Sequence, residues 1–310
     1  MRISMLIPTW RRPKPLRRCL QALATQTRAP DQVVLVVRAD DEETRGLLAG
    51  LELPYPVQVV EPPRTGVVAA LNAGFDAVEG DVVAIADDDT EPLPDWLAKI
   101  EAHFEADPQL GGLGGRDRIV GSDEQPPVPA DQLSVGTVLW FGRVTGNHHL
   151  AAGPPREVDI LKGANMSWRT AALGTHRINP ALRGRAAEHN WEIELSLAIQ
   201  ADGWRLVYDP EVELLHHEAP RPFGERERQM SAQERFDAVH NQTLALASHL
   251  RGARRLRALA YDFLFGTRQN PGPVLALETV LRRTASPGET LGRLRVATRA
   301  RFAALRQARR

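Results

Sequence analysis

The sequence contains one cysteine, no long hydrophobic run and no surplus of charge. The single cysteine, Cys19, excludes an internal disulfide and a cysteine-based zinc site, so a reducing compartment is the simplest setting. Lysine plus arginine and aspartate plus glutamate both number 39, which indicates no nucleic-acid partner. No stretch approaches the roughly eighteen apolar residues of a membrane-spanning helix, and Ile3–Ile7 is too short for a signal peptide. We therefore expect a cytoplasmic protein that does not span a membrane.

Charge is distributed unevenly along the chain. Residues 221–310 carry 18 Lys+Arg against 7 Asp+Glu, a net +11, which leaves 21 against 32, or −11, for residues 1–220. The basic segment has a helical pattern, interrupted at Asn270–Pro273 and at Ser286–Gly288. We therefore predict a main domain over residues 1–220 and a basic helical extension over residues 221–310.

Short apolar runs alternate with helical patterns in the first hundred residues. The runs are Ile3–Ile7, Val33–Val37, Val57–Val60 and Val82–Ala86. Strands without an alternating polar face, separated by helices, indicate a parallel sheet that is buried on both sides. Ligands bind beyond the carboxyl ends of such strands. Chemistry should therefore gather at the polar residues that follow them, Thr9, Asp40 and Asp87–Asp89.

Three consecutive carboxylates, Asp87–Asp89, come directly after the apolar strand Val82–Ala86. Crowding them at one strand end is unfavourable unless a cation is present. Hard oxygen ligands favour Mg²⁺ or Mn²⁺, and such an ion commonly bridges protein carboxylates and substrate phosphates. The alternative is an acidic turn before the helix that begins near Trp96.

Five segments follow one another in a characteristic order. They are Ser4–Arg12, Ala69–Gly74, Ala86–Asp89, Lys162–Arg169 and Asn190–Leu195. Together they resemble the family-2 glycosyltransferases, inverting enzymes of the GT-A fold, over about residues 1–220. The resemblance implies an α/β domain with a mixed, mostly parallel sheet flanked by helices. It also implies transfer of a sugar from a nucleotide-diphosphate sugar to an acceptor that the sequence does not identify, in surface glycan or glycolipid synthesis.

The resemblance also implies roles for the acidic run. Ala86–Asp89 matches the family's Asp-x-Asp motif, which makes Asp87 a contact to the donor ribose and Asp89 the metal ligand, with Asp88 between them. The family often places a metal-binding histidine after its last strand, where this chain has His216. An imidazole ligand suits Mn²⁺ better than Mg²⁺.

Other residues are assigned to the donor. The resemblance places Thr9 and Asp40 at the nucleoside, although Arg38–Glu42 departs from the family's Asp-Asp-Gly-Ser and Asp41 could replace Asp40. A glycine at position 66 would let the backbone approach the nucleotide, or would simply serve a turn, and Arg64 could place a cation near the diphosphate. The full set of expected donor-binding residues is Pro8, Thr9, Arg11, Asp40, Arg64, Gly66, Asn72, Asp87, Asp88, Asn165 and Trp191.

Inverting transfer needs a carboxylate to take the proton of the attacking acceptor hydroxyl. Alignment with the family's Glu-Asp-x-Asp/Glu-Leu pattern selects Glu192 as this catalytic base, with Glu188 and Glu194 as alternatives. Among the tryptophans that could stack on a sugar ring, Trp140, Trp168 and Trp191, we select Trp191.

Two other functions fit parts of the pattern. A nucleotidyltransferase also binds nucleotide and metal at strand ends, but it would have a glycine-rich loop near the first strand, and Pro8–Pro15 contains no glycine. A non-catalytic nucleotide-sugar-binding module is the second alternative. The expected partners are a nucleotide sugar and a saccharide or lipid-linked acceptor. The basic C-terminal helices could contact the inner face of a membrane peripherally, or form a solvated cap or an oligomer contact.

Overall fold

The structure, a computed structural model, describes residues 1–121, 126–184, 187–217 and 230–309. The strands are β1 (Ile3–Thr9), β2 (Gln32–Val37), β3 (Val57–Val60), β4 (Val82–Ala86), β5 (Thr90–Pro92), β6 (Leu110–Ile119), β7 (Arg156–Glu157), β8 (Asn165–Arg169) and β9 (Arg205–His216). The helices are α1 (Pro13–Ala24), α2 (Glu42–Ala49), α3 (Val67–Ala77), α4 (Trp96–Ala106), α5 (Thr170–Leu173), α6 (Trp191–Ala201), α7 (Ala232–His249), α8 (Gly252–Leu264), α9 (Pro273–Leu281) and α10 (Pro287–Gln307).

Within the described residues, one mixed sheet has the strand order β3-β2-β1-β4-β8-β6-β9-β5, with β7 paired to β9. Strands β1 to β4 are mutually parallel, and β8 runs antiparallel between β4 and β6. Strands β6 and β9 are parallel, and β5 returns antiparallel to β9. The predicted fold class, a mixed α/β sheet flanked by helices and followed by C-terminal helices, is confirmed.

Both faces of the sheet are buried, which explains the uninterrupted apolar strands. Ile3 and Met5 of β1 pack on one face with α1 and α4, whereas Leu6 packs on the other with α3 and α6. Successive side chains of a strand point to opposite faces, so a strand covered on both sides must be apolar at every position. The exception is the edge strand β3, where Val57 and Val59 are exposed.

The glycine-rich segment after residue 110 forms a ten-residue strand, β6. Its glycines are required by close neighbours. A Cβ on Gly112 would lie 2.7 Å from the Trp168 ring, and one on Gly115 would lie 1.8 Å from the carbonyl oxygen of Val212. In strand β9, which pairs with β6, a register shift falls near Asp209.

The C-terminal helices pack against the sheet domain through α6. Ile193 and Leu197 of α6 share a cluster with Ala245 and Leu246 of α7, and α7 in turn packs along α10. Arg301 of α10 is buried, so not every arginine of the basic extension faces solvent. The predicted boundary at residue 220 lies outside the described residues.

In the part of the chain that the structure describes, every helix is too short or too polar to cross a membrane.

Candidate functional site

Strand pairing brings the acidic run and His216 together. Asp87–Asp89 connects β4 to β5, and β5 runs antiparallel along the end of β9 with Thr90 opposite His216. The backbone N–H of His217 also donates to the carbonyl of Asp89, at 3.0 Å. Two segments more than a hundred residues apart in sequence therefore meet at one edge of the sheet.

Asp87, Asp89 and His216 form a cluster that could hold a metal ion. One ligand atom from each lies within 4.8 Å of the others, and His216 Nε2 is 3.3 Å from Asp89 Oδ1. Two carboxylates and an imidazole suit Mn²⁺ and, through the carboxylates, Mg²⁺. The predicted ligands Asp89 and His216 are brought together, and Asp87, which we expected at the ribose, joins them.

Two residues behind His216, Asp117 and Lys162, were assigned no role from the sequence. The buried carboxylate of Asp117 lies 3.6 Å from His216 Nδ1 and forms an ion pair with Lys162. Burial alone would raise the pKa of Asp117, but the charges of Lys162 and His216 outweigh it and lower that pKa. Burial likewise opposes the charged form of His216, yet Asp117 and Asp89 raise its pKa to about 10. Asp117 stands between Arg116 and Arg118 in β6, so no local pattern singled it out.

Asp88 points away from this cluster into a separate buried network. Thr9 Oγ1 donates to Asp88 Oδ2 at 2.7 Å, and Arg12 Nη1 donates to Asp88 at 2.8 Å and to Asp89 at 3.1 Å. Burial raises the pKa of Asp88 to about 6, with Asp89 adding to the shift and Arg12 opposing it. The hydrogen bond from Thr9 therefore fixes Asp88 within the acidic run. Arg12, to which no role was assigned from the sequence, links the carboxylates of Asp88 and Asp89.

The loop after β1 lies beside Asp40. The Trp10 ring is flanked by the guanidinium groups of Arg11 and Arg38, at 5.1 and 5.0 Å from its centroid, and Pro8 before it is half-buried. Arg11 and Arg38 both pair with the carboxylate of Asp40, whose side chain is 46% exposed. Asp40 is therefore open to solvent at the carboxyl edge of the parallel strands.

Asp41, the alternative to Asp40, has a structural role. It caps the N-terminus of α2, where its carboxylate accepts the backbone N–H of Thr44 at 3.1 Å, and it also accepts the backbone N–H of Arg11. Because these contacts bury it, the geometry favours Asp40 over Asp41 as the residue that meets a nucleoside.

Gly66 and Arg64 contact a carboxylate from a distant part of the chain. Gly66 precedes α3 with φ 125°, and a Cβ there would lie 2.2 Å from Oε1 of Glu188. The Glu188 carboxylate accepts the N–H of Val68 in the first turn of α3, at 3.3 Å, and lies 3.6 Å from Arg64 Nη1. Burial raises the pKa of Glu188 despite these contacts. The close approach that requires glycine is thus to a helix-capping carboxylate.

Asn72 and Asn165 use their amide groups within the protein. Asn72 pairs with both the N–H and the carbonyl of Ile178, at 2.9 and 2.8 Å. Asn165 accepts the indole N–H of Trp96 at 3.0 Å and donates to the carbonyls of Arg116 and Val212. These contacts favour a structural role for both side chains over donor binding.

The ring of Trp191 belongs to the hydrophobic core. The residue is 7% exposed, and a Cβ on Gly163 would lie 3.0 Å from the ring. Trp168 is fully buried as well, and its indole N–H points to the sulfur of Met166 at 3.1 Å. The expectation that Trp191 stacks on the donor sugar is therefore disfavoured, because its faces are covered by protein.

The three candidate bases have different surroundings. Glu188 is engaged at the start of α3, and Glu194 accepts the N–H of Asn179 at 3.3 Å and pairs with His249 at 3.1 Å. Glu192 lies in the first turn of α6 and is partly exposed. Of the three, the position of Glu192 is the best suited to meet an acceptor.

Residues 161–163 connect helix α6 to the residues behind His216. Ser196 Oγ accepts the N–H of Leu161 at 3.1 Å, and the Trp191 ring packs on Gly163. Lys162, between those two loop residues, forms an ion pair with Asp117 behind His216. The first turn of α6, which carries Glu192, is thereby linked through this loop to Lys162 and Asp117.

Comparison with known proteins shows that part of the chain matches a known protein family. Residues 4–149 match the model of "Glycosyl transferase family 2". An uncharacterized glycosyltransferase of Nostoc, alr2836, is 28% identical over 126 residues, which is 40% of this chain and 39% of that protein. The glucosyl-dolichyl phosphate glucuronosyltransferase of Haloferax volcanii is 25% identical over 226 residues, 70% of this chain and 69% of that protein. The chain thus spans about two fifths of the Nostoc relative and about two thirds of the Haloferax one.

Solved structures share the fold. TarS of S. aureus (residues 1–349, in complex with UDP-GlcNAc) has a TM-score of 0.63 at 14% identity, covering 99% of this chain and 90% of that one. The mannosyltransferase PcManGT from Pyrobaculum calidifontis, in complex with GDP-Man and Mn²⁺, has a TM-score of 0.57 at 16% identity, covering 100% and 88%. With its mixed sheet and the family match over residues 4–149, just under half of the chain, the protein is similar to the family-2 glycosyltransferases and shares the fold of the glycosyltransferase structures that it matches.

Proposed function

We propose that the protein catalyses metal-dependent, inverting transfer of a sugar from a nucleotide-diphosphate sugar to an acceptor hydroxyl. The observation that carries this proposal is the convergence of Asp87, Asp89 and His216 at the carboxyl edge of the sheet. In open α/β sheets this edge binds nucleotides. The neighbours solved with UDP-GlcNAc and with GDP-Man and Mn²⁺ support a donor and an ion of these classes.

Asp89, His216 and Asp87 would hold Mn²⁺ or Mg²⁺. The ion would neutralise the negative charge that grows on the leaving diphosphate as the glycosidic bond breaks. Asp117 would accept the Nδ1–H of His216 and so keep Nε2 directed at the cluster, as carboxylates do for metal-binding histidines. Lys162 holds Asp117 in its charged form.

Glu192 is the proposed catalytic base. It would take the proton of the acceptor hydroxyl while that oxygen attacks the anomeric carbon on the face opposite the leaving diphosphate. Exposure supports this choice among the three carboxylates, because Glu192 is partly exposed whereas Glu188 and Glu194 are buried. Asp40, partly exposed beside Trp10, is the proposed contact to the nucleoside, and the ribose contact of Asp87 remains part of the proposal.

The proposed acceptor is a saccharide or a lipid-linked saccharide, in surface glycan or glycolipid synthesis. The Haloferax relative supports the lipid-linked class, since its name specifies a glucosyl-dolichyl phosphate. Contact of the C-terminal helices with a membrane belongs to the same proposal, because a lipid-linked acceptor is presented at a membrane surface.

The test is a panel of UDP-, GDP- and dTDP-sugars with Mn²⁺ or Mg²⁺, following nucleoside diphosphate release with and without EDTA. Wild type should release nucleoside diphosphate slowly from one donor, and EDTA should stop the release. Asp89→Asn should lower the rate by about 10²–10³-fold, the usual effect of losing a group that stabilises developing charge. Glu192→Gln should abolish turnover but keep donor binding, measured by calorimetry.

Two outcomes would contradict this function. Donor binding by wild type without any turnover, unchanged by Glu192→Gln, would support the non-catalytic binding module. Formation of a nucleotide sugar and inorganic pyrophosphate from a sugar phosphate and a nucleoside triphosphate would support the nucleotidyltransferase.

A further inference from the structure

Helix α8 presents an apolar stripe to solvent. Leu256 is 71% exposed, Ala260 and Leu264 are exposed as well, and a spacing of four residues places all three on one side of the helix. The opposite side, with Ala258 and Asp262, is buried. Single exposed leucines are ordinary, but a contiguous exposed stripe marks an interaction surface.

A loop tip adds two aromatic side chains to this stripe. Trp140 is 78% exposed, and its ring packs edge-on against Phe141, with centroids 5.4 Å apart. The tip rests on α8, where Phe141 lies 5.5 Å from the Tyr261 ring. A Cβ on Gly142 would lie 2.2 Å from the carbonyl oxygen of Arg257, so the backbones are in close contact. The tip and the helix therefore form one continuous surface.

Phe265 extends the same surface at the end of α8. Its exposed ring stacks on Tyr261, with centroids 5.2 Å apart and planes 19° from parallel. The α8 surface, as we use the term, comprises Trp140, Phe141, Leu256, Ala260, Leu264 and Phe265.

The α8 surface lies in a strongly basic part of the chain. Residues 251–283 contain seven arginines and two acidic residues, a net +5. One of the two acids, Asp262, is buried against Arg301 and contributes no negative charge to the surface. Arg251, Arg257 and Arg268 are exposed around the apolar stripe.

We propose that the α8 surface docks the protein on a membrane that contains anionic lipid. Tryptophan favours the headgroup level of a bilayer, leucine and phenylalanine favour the region just below it, and arginine pairs with lipid phosphate. The α8 surface supplies the tryptophan, leucine and phenylalanine side chains, and the exposed arginines around it, Arg251, Arg257 and Arg268, supply the positive charge. A two-fold contact with a second copy of the chain would instead bring arginine against arginine, which is repulsive. The positive charge therefore favours an anionic bilayer over self-association.

Docking would bring the active site to a lipid-linked acceptor, and that purpose rests on the proposed function. The docking itself does not, since it needs neither donor nor metal. A binding measurement without substrate therefore separates the two proposals.

The experiment is co-sedimentation of the full chain with vesicles of phosphatidylcholine, alone or mixed with phosphatidylglycerol. Wild type should bind the mixed vesicles, bind the neutral ones far more weakly, and be released by salt. The double variant Trp140→Ser/Leu256→Ser should lose at least tenfold in partitioning, because two apolar anchors are removed. Arg257→Glu should lose about fivefold or more, from the usual contribution of one charge near an anionic surface.

Matched controls carry the same substitutions elsewhere on the molecule. Val59→Ser removes an exposed apolar side chain from β3, and Arg17→Glu reverses an exposed charge on α1, so neither should change vesicle binding. The double variant should keep the wild-type circular dichroism spectrum and urea midpoint, which shows that it is folded.

Equal binding of wild type and the double variant, or equal binding to neutral and anionic vesicles, would overturn the proposal. So would a wild-type dimer in light scattering that becomes a monomer in the double variant, because that result assigns the α8 surface to self-association. Failure of wild type to turn over any donor would contradict the proposed function and leave the vesicle result intact.

Discussion

The sheet domain and the C-terminal helices both bury charged side chains, but they surround them differently. In the helices, Asp262 faces Arg301 at 3.2 Å, a threonine hydroxyl donates to the same carboxylate, and two backbone carbonyls accept from the guanidinium. At the edge of the sheet, Asp87, Asp89 and His216 instead bring one ligand atom each to within 4.8 Å of one another. A buried pair of opposite charges holds one packing arrangement together, whereas clustered carboxylates with an imidazole could hold a cation.

The largest effect on stability should come from the buried pair in the helices. Arg301→Leu leaves the carboxylate of Asp262 buried without its cation, which should lower the free energy of unfolding by about 3–5 kcal/mol. Urea denaturation followed by circular dichroism measures it. The control is Arg299→Leu, at an exposed position two residues away on α10, with an expected change within about 0.5 kcal/mol. Equal losses of unfolding free energy in the two variants would show that the buried pair stabilises the helices no more than an exposed arginine does.

The buried carboxylate behind the metal-binding cluster should affect binding instead. Asp117→Asn should weaken Mn²⁺ binding by about 10–100-fold, because the side chain that orients the imidazole of His216 loses its charge. Titration with Mn²⁺ followed by electron paramagnetic resonance measures the affinity directly. The control is Asp209→Asn, which alters another buried carboxylate paired with a histidine, His103, at 2.6 Å. Wild-type Mn²⁺ affinity in Asp117→Asn would show that Asp117 serves structure alone.

A smaller loss of stability is expected at the contact between the start of α3 and Glu188. Gly66→Ala places a Cβ 2.2 Å from the Glu188 carboxylate at a position with φ 125°, which should cost about 1–3 kcal/mol of stability. Gly46→Ala is the matched change, since that glycine lies within α2 with open space around it and alanine should stabilise the helix by up to about 1 kcal/mol. In denaturant titrations, the free energy of unfolding should fall in Gly66→Ala and rise in Gly46→Ala. A stabilising Gly66→Ala would contradict the capping geometry.

The smallest effect should come from an exposed ion pair in the helical region. Glu278 and Arg282 lie 3.0 Å apart on successive turns of α9, both open to solvent. Glu278→Gln should change the free energy of unfolding by less than about 0.5 kcal/mol, because water and salt screen exposed pairs. Thermal unfolding at low and high salt measures this change. If Glu278→Gln lost as much stability as Arg301→Leu, burial would not explain the difference between the two ion pairs.

Much of the sheet was predictable because its signals are local. The apolar runs that became β1, β2 and β4 are continuous in sequence, and the acidic run follows one of them directly. The resemblance to the family then selected Asp89 within that run and His216 far along the chain, and strand pairing brings the two together.

The parts that were missed depend on contacts between distant segments. Asp117 acquires its place from the parallel pairing of β6 with β9, and the glycines of β6 resemble a loop until the side chains packed against them are known. The buried place of Arg301 depends on its partner, Asp262, which lies on another helix. No local pattern encodes such partners, so the burial of these charges could not be predicted.

The contact between Gly66 and Glu188 also constrains how the sequence can change. The two positions are far apart in the chain, yet a methyl group at one collides with the carboxylate at the other. We expect epistasis: replacing Glu188 by a shorter side chain should remove the collision but not the strain of alanine at φ 125°, so it should recover part of the stability that Gly66→Ala loses. A pairwise library at both positions would show this as a double substitution that costs less than the sum of the two single ones.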